Sequence, residues 1–441
     1  VMLVNTDFNG SVEAKTYTYK LTETEPAPGY KIDTFRSIYT DANDTTGKTL
    51  TLALDGFGNL YYKTDNSTSG TWWQEVSSGV QSGTSLSDNV ISHSDTKNGI
   101  TITKKNASGT ATDGAEFEII GIFAKGDGSG TTEGKIAAPV TKKLISSTNS
   151  SKEADVLGKS AGGVWTLNGK LVSLIAGCIY TLNETTPLPG YTNKTGIYFK
   201  VNSDGTLSQV NADGAPISGG TGVSGVTISG TSIEVQDDGN SVTLTKNGVS
   251  GETNTVALLA GVTFTITGNA ENSFANGEGV KDSNVSTVYW VTTDGTEAST
   301  TTTTDVAAKT KTITGNAAVL DKLLIAGVTY TFKETATPDG YTKINDFTVK
   351  MDNNGELESP SPVVSGEDIS RVVLSADKKT ITITDTQTSV TITKVFQENL
   401  NPDKAALNLE PMTEGEKFAD GSIKQSWDAT YSSPSKTFTK L

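Results

Sequence analysis

The chain has 441 residues, only 34% hydrophobic, with 45 glycines, and carries a formal charge of −15 from 35 basic and 50 acidic side chains. An acidic chain with two arginines, Arg36 and Arg371, lacks the basic footprint that nucleic acid or an anionic lipid surface requires. The single cysteine, Cys178, excludes an intrachain disulfide, and no apolar run is long enough to span a membrane.

Short Thr- and Val-rich alternating runs punctuated by Gly, Asn and Asp predict an all-β chain of about three domains' length. No leader reads at residue 1 and no sorting signal at Leu441, so the sequence reads as excised from something longer.

In chain order, the first patterned element is YKLTETEPAPGY, ending at Tyr30, a strand running into a Pro/Gly turn. A looser hairpin follows, LALDGFGNLYY from Leu52 to Tyr62. Trp72 and Trp73 come next. If they lie in a strand one of them faces outward, where it could form a sugar-stacking platform with Tyr61 and Tyr62; hairpin or core packing is the plainer use. ISHSD then ends at Asp95, with His93, the only histidine, on the inward face. A lone histidine makes a His-based triad or metal site implausible, and a satisfied, half-buried side chain is expected. Sequons such as the one at Asn43 would carry little weight if the source is bacterial.

From residue 97 the elements recur. A strand ending in lysine appears as GITITK to Lys104, SVTLTK to Lys246 and SVTITK to Lys394, at spacings of 142 and 148 residues. The tyrosine-led strand returns as YTLNETTPLPGY to Tyr191 and YTFKETATPDGY to Tyr341, and Glu23, Glu184 and Glu334 each stand seven residues before the closing tyrosine. The aspartate strand returns as IEVQD to Asp237 and ITITD to Asp385, and each such aspartate precedes the next lysine by nine residues. GAEF at Gly114–Phe117 echoes AGVTF at Ala260–Phe264, and the hairpins YFKVNSDGTL and TVKMDNNGEL follow the second and third Pro/Gly turns. The oxygen-rich NSDG and DNNG lack the bidentate Glu of a calcium loop and read as hairpin turns. Cys178 aligns with Val328 beside the glutamate strand and reads as a small buried hydrophobe. The Thr run at Ser299–Thr304 reads as an inserted loop.

These repeats predict one domain at 97–238, a second at 239–386, and partial domains at 1–96 and 387–441. The first piece carries the Glu and Asp elements, the last the Lys strand. Together they amount to one repeat. They are either a window cut from a longer array or halves of a split domain. In the second case Lys394 of one molecule completes Glu23 and Asp95 of the next, in a self-polymerising head-to-tail filament.

Strand alternation puts three ionisable groups on the apolar side of each repeat. Ile381, Ile383 and Asp385 share a face, as do Val390, Ile392 and Lys394, and Tyr330, Phe332 and Glu334. A buried salt-bridge network would account for this. So would chemistry. In an apolar core a lysine is biased toward its neutral amine and a glutamate toward its protonated form. The amine adds to the aspartate carbonyl, the glutamate shuttles protons, water leaves, and an amide joins the first strand to the last.

The pattern resembles the Cna-B type repeat domain of Gram-positive surface adhesins and pilins. Those domains open on a V-x-L-x-K strand, carry a Y-x-L-x-E-T-x-x-P-x-G-Y box, and close on V-x-V-x-[N/D]. The resemblance implies tandem Ig-like β-sandwiches in an elongated array, with a spontaneous Lys–Asp isopeptide bond in each complete domain. Carried over, Lys104 pairs with Asp237 assisted by Glu184, and Lys246 pairs with Asp385 assisted by Glu334. Glu23, Asp95 and Lys394 are the corresponding groups of the partial ends. Such bonds close loops of 133 and 139 residues, for about 5 kcal/mol each. The aspartates stand where pilins more often have asparagine, so water and not ammonia leaves. No pilin polymerisation lysine motif is evident.

The implied function is a structural stalk or pilin-like part of an extracellular, cell-wall-anchored or pilus fibre. Its partners would be domains of the same surface protein or neighbouring subunits. A ligand-binding adhesin module for host matrix or glycan is the alternative. Neither a metal nor a cofactor is expected, and no enzyme activity beyond the single-turnover cross-link.

Overall fold

A computed structural model describes residues 2–3, 17–22, 24–31, 49–54, 60–63, 72–73, 84–87, 90–93, 95–124, 138–151, 155–167, 174–217, 222–249, 255–283, 285–293, 311–315, 317–363, 369–396, 405–439 and 441. Every regular element among them is a β-strand, and no helix is long and apolar enough to cross a membrane. The all-β, β-sandwich expectation holds.

The chain divides into two compact units. The first comprises Val1–Lys105, Ala115–Thr185 and Lys194–Gln236; the second comprises Asn106–Gly114, Thr186–Asn193 and Asp237–Leu441.

In the first unit a four-stranded sheet runs Val164–Leu167, Ile100–Lys105, Ser232–Gln236, Val226–Ser229. A six-stranded sheet runs Val156–Lys159, Val140–Ile145, Glu116–Gly121, Ile179–Thr186, Ile197–Val201, Leu207–Gln209. The lysine strand shows why the sandwich forms: Ile100, Ile102 and Lys104 are buried, while Thr101, Thr103 and Lys105 alternate with them and are half-buried. β-branched residues suit a pleated surface covered on one side. Between the sheets sit Phe117, Trp165, Tyr180, Leu182 and Phe199, all buried, each worth about 1.5–3 kcal/mol of apolar transfer.

The second unit repeats the plan. The lysine strand Ser241–Val249 lies between Val256–Leu258 and the aspartate strand Thr380–Gln387, with Ala317–Asp321 and Val372–Leu374 also paired into that sheet. The facing sheet runs Lys311–Thr314, Thr287–Val291, Thr263–Gly268, Thr329–Ala336, Phe347–Lys350, Ser361–Pro362. Phe264, Trp290, Tyr330, Phe332 and Phe347 fill its core.

In both units the lysine and aspartate strands run parallel, side by side. Parallel neighbours need a long crossover, and here the intervening sandwich supplies it. The hairpins sit where Asp-Gly and Asn-Gly place them. Gly205 (φ 81°) and Gly355 (φ 76°) take the left-handed position of their turns. Asp204 Oδ1 accepts from Thr206 N–H (3.0 Å) and Asp352 Oδ1 from Glu356 N–H (2.8 Å), so these oxygens serve the turns. No group of His, Cys, Asp and Glu able to hold a metal occurs among the described residues.

The Pro/Gly turns do more than reverse the chain. Asn98 N–H donates to Gly29 O (2.8 Å), Asn240 N–H to Gly190 O (3.0 Å) and Thr388 N–H to Gly340 O (2.8 Å). Each turn thus clasps the backbone that opens the next lysine strand. Buried Asn98 and Asn240 tighten two of the clasps, donating Nδ2–H to Leu174 O (2.9 Å) and Leu324 O (2.6 Å).

Two expectations need correction. Val390 is 44% exposed, Ile392 half-buried and Lys394 exposed, although Phe438, opposite Val390 in the pairing, is buried. The described partner of Ser389–Thr393 is Ser435–Thr439 in a two-stranded sheet. Cys178 is half-buried and not a core hydrophobe. It lies in the turn before the glutamate strand, donating its N–H to Ile175 O (3.2 Å).

Candidate functional site

Each lysine reaches its glutamate across the space between the two sheets. Lys104 Nζ, on the four-stranded sheet, lies 2.7 Å from Glu184 Oε1 on the six-stranded sheet, and both side chains are fully buried. Asp237 follows directly on the strand Ser232–Gln236 and is buried. Val235 stands opposite Lys104 in that register, so Asp237 is one same-face step further along.

The second unit repeats this register, with Ile383 opposite Lys246 and Asp385 one step beyond. Here the three side chains meet. Lys246 Nζ lies 2.5 Å from Asp385 Oδ1 and 3.3 Å from Glu334 Oε1, all without exposed side-chain surface. Glu334 and Asp385 thus share one buried ammonium. One ammonium against two ionised carboxylates would leave a buried net charge, so a shared proton is favoured. Burial pushes the Glu334 carboxyl up to about 7, with the Lys246 ammonium pulling it down and the Asp385 carboxylate raising it further. Near neutral pH Glu334 can therefore hold or release a proton.

Side chains and backbone outside the triad complete each site. The glutamate's second oxygen is fixed by the strand after the Pro/Gly turn: Lys194 N–H donates to Glu184 Oε2 (2.9 Å) and Ile344 N–H to Glu334 Oε2 (2.8 Å). Phe117 and Phe264 place ring faces 5.7 Å and 5.2 Å from Lys104 Nζ and Lys246 Nζ, a contact that favours a cation. Trp165 packs edge-on against Phe117 and Trp290 stacks on Phe264, walling both sites with apolar surface. Thr337 donates its hydroxyl to Asp385 Oδ2 (2.9 Å).

These groups were missed as site residues. The GAEF and AGVTF echo held the signal for the two phenylalanines, since it repeats beside a repeated lysine. The two backbone donors left no signal, because any residue but proline supplies an N–H. Tyr180 and Tyr330, which head the glutamate strands, are buried and donate to Ile122 O (2.5 Å) and Ser273 O (2.7 Å), anchoring the strand that carries the acid.

Asp95 is half-buried and Lys394 exposed. Glu23, Asn43 and the Ser299–Thr304 run lie outside the described residues, as do the side chains of His93, Trp72, Trp73, Tyr61 and Tyr62.

Chemically, the Lys246 site holds an amine against a carboxyl beside an acid that titrates near neutrality. That is the constellation for acyl transfer to nitrogen, with proximity supplied by two parallel strands.

Residues 240–361 match the model of the SpaA family, a prealbumin-like fold domain. No curated protein matches the chain. Among solved structures, the C-terminal fragment of pilus adhesin SpaC from Lactobacillus rhamnosus GG aligns at 16% identity, covering 66% of this chain and 98% of that one, with a TM-score of 0.31. The Bacillus anthracis TIE protein aligns at 15% identity over 97% of this chain and 61% of that one, with a TM-score of 0.29. A Streptococcal ancillary pilin aligns at 13% identity over 77% and 81%, with a TM-score of 0.21. Scores at this level mark distant likeness and do not establish a shared fold.

Proposed function

We propose that this chain is part of a Gram-positive surface fibre, a pilin-like shaft or adhesin stalk, whose repeat domains 97–238 and 239–386 are each locked by an autocatalytic isopeptide bond. Lys246 is joined to Asp385 with Glu334 assisting, and Lys104 to Asp237 with Glu184 assisting. The observation that carries the reading is the buried Lys246–Asp385–Glu334 contact, at 2.5 Å and 3.3 Å from one nitrogen. The matching register around Lys104 and the SpaA match over 240–361 support it. Tension entering near a domain's lysine and leaving near its aspartate would pass through the amide and bypass the sandwich. The bond does the work of the disulfides that a chain with one cysteine cannot make.

Intact mass under denaturing conditions tests this. The expected result is a deficit of two waters, reduced to one by Lys104→Ala or Lys246→Ala and abolished by both. A wild-type chain of full mass would overturn it.

A further inference from the structure

We propose that Thr337 is a catalytic residue of the Lys246–Asp385 reaction, whose hydroxyl holds Asp385 Oδ2 as the carbonyl oxygen while Oδ1 departs as water. The inference rests on the cross-link reading above and deepens it.

The two oxygens of Asp385 have different surroundings. Oδ1 touches the Lys246 nitrogen, which also touches Glu334. Oδ2 accepts the Thr337 hydroxyl at 2.9 Å. The carboxyl is thus sorted before reaction into an oxygen beside the amine, which the proton shuttle also touches, and an oxygen beside a fixed neutral donor.

The step balances on these groups alone. The neutral Lys246 amine adds its lone pair to Asp385 Cγ, and the carbonyl pair moves onto Oδ2, where the Thr337 O–H meets the developing charge. Glu334 gives its proton to the Oδ1 hydroxyl. The Cγ–Oδ1 bond breaks and water leaves. The pair on Oδ2 returns to the carbonyl, and Glu334 regains a proton from Lys246 Nζ. An amine and a carboxylic acid become an amide and one water, with nothing oxidised or reduced. A donor aimed where charge develops acts far more strongly in a dry site than in water.

The turn itself does not require this hydroxyl. Thr337 stands three residues after Glu334, and the corresponding positions after Glu23 and Glu184 are Pro26 and Pro187. A residue without any side-chain donor occupies that place in the other two copies. Thr337 is also half-buried, so removing its hydroxyl leaves the core intact.

The test uses the full chain, collected unfolded and unreacted in urea and refolded by dilution. Samples are quenched in denaturant over time, and peptide mapping follows the Lys246–Asp385 and Lys104–Asp237 linkages separately. Thr337→Val is expected to slow the first linkage on the order of 10²-fold, while Thr337→Ser restores it and the second linkage proceeds unchanged in both. The unchanged linkage and hydrogen exchange in peptides from 240–387 report that the variants fold. Wild-type rates in Thr337→Val would overturn the proposal while leaving the cross-link reading intact. Equal slowing in Thr337→Ser and Thr337→Val would also overturn it, assigning the effect to packing. Absence of both linkages from the wild type would overturn the cross-link reading and this proposal with it.

Discussion

Replacing Lys246 with methionine separates two contributions that the wild type combines. In the proposed cross-link the lysine closes a loop of 139 residues to Asp385, and losing that closure would cost about 5 kcal/mol in the chain-entropy model. The substitution also strands Asp385 beside Glu334 with no cation, and breaking a buried pair from one side costs about 3–5 kcal/mol. The sum approaches the whole stability of an ordinary domain, about 5–15 kcal/mol, so Lys246→Met is expected to unfold this sandwich under mild denaturant. Lys246→Met/Asp385→Leu removes the stranded carboxyl as well. Hydrophobic replacement of a complete buried pair is often neutral, so the double variant should recover the second contribution and lose only the first. Urea titration read by hydrogen exchange in peptides from 240–387 measures both, with the Lys104 sandwich as reference. An unchanged midpoint in Lys246→Met would refute the reasoning. A double variant no more stable than the single would refute the stranded-carboxyl part.

Other perturbations probe the site and its supports. Glu334 sits near 7 in the folded, unreacted site against 4.5 as its ordinary value, so its contribution to stability is present below about 4.5 and lost as pH rises through about 7; the rate of water loss on refolding should fall across the same window, and a rate that does not change with pH contradicts a proton held by Glu334. Asp385→Asn should still close the bond but expel ammonia, leaving the same amide and so the same intact mass as the linked wild type; a mass higher by one ammonia would contradict this. Asn240→Ala leaves the buried Leu324 carbonyl without its partner and should lower stability by about 1–3 kcal/mol, read as a shifted urea midpoint at constant slope. Gly121→Ala would bring a methyl to 2.3 Å from the Tyr180 ring and should cost about 1–3 kcal/mol, whereas Gly158→Ala meets Leu167 at 3.4 Å and should be close to neutral by thermal melt.

Period-two alternation made the lysine, glutamate and aspartate strands readable, because one buried face forces one register. Ile381, Ile383 and Asp385 are all buried as a consequence. Alternation says nothing about which strand from the opposite sheet will face them. The reach from Lys246 to Glu334 depends on how the two layers pack, and no local pattern encodes that. Thr337 was invisible for a different reason: its hydroxyl acts from an irregular turn, where no periodicity applies. Val390 shows the converse failure. Its alternation is as regular as that of Ile381, yet Val390 is exposed while Phe438 opposite it is buried, so alternation fixes the face and not how far cover extends along it.

The backbone clasps at Gly29–Asn98, Gly190–Asn240 and Gly340–Thr388 have a consequence for anyone who cuts or recombines this chain. The natural-looking scission point, just before each lysine strand, severs the amide that seats that strand's opening residues. Asn98 and Asn240 stand six residues ahead of Lys104 and Lys246, so a fragment begun at the lysine strand keeps its reactive nitrogen but loses its foothold. Fragments that carry the preceding turn with them inherit the seat. The heritable module is therefore offset from the repeat that the eye picks out, and a swap must also bring the hairpin tip at Gly205, which is buried beside Asn98.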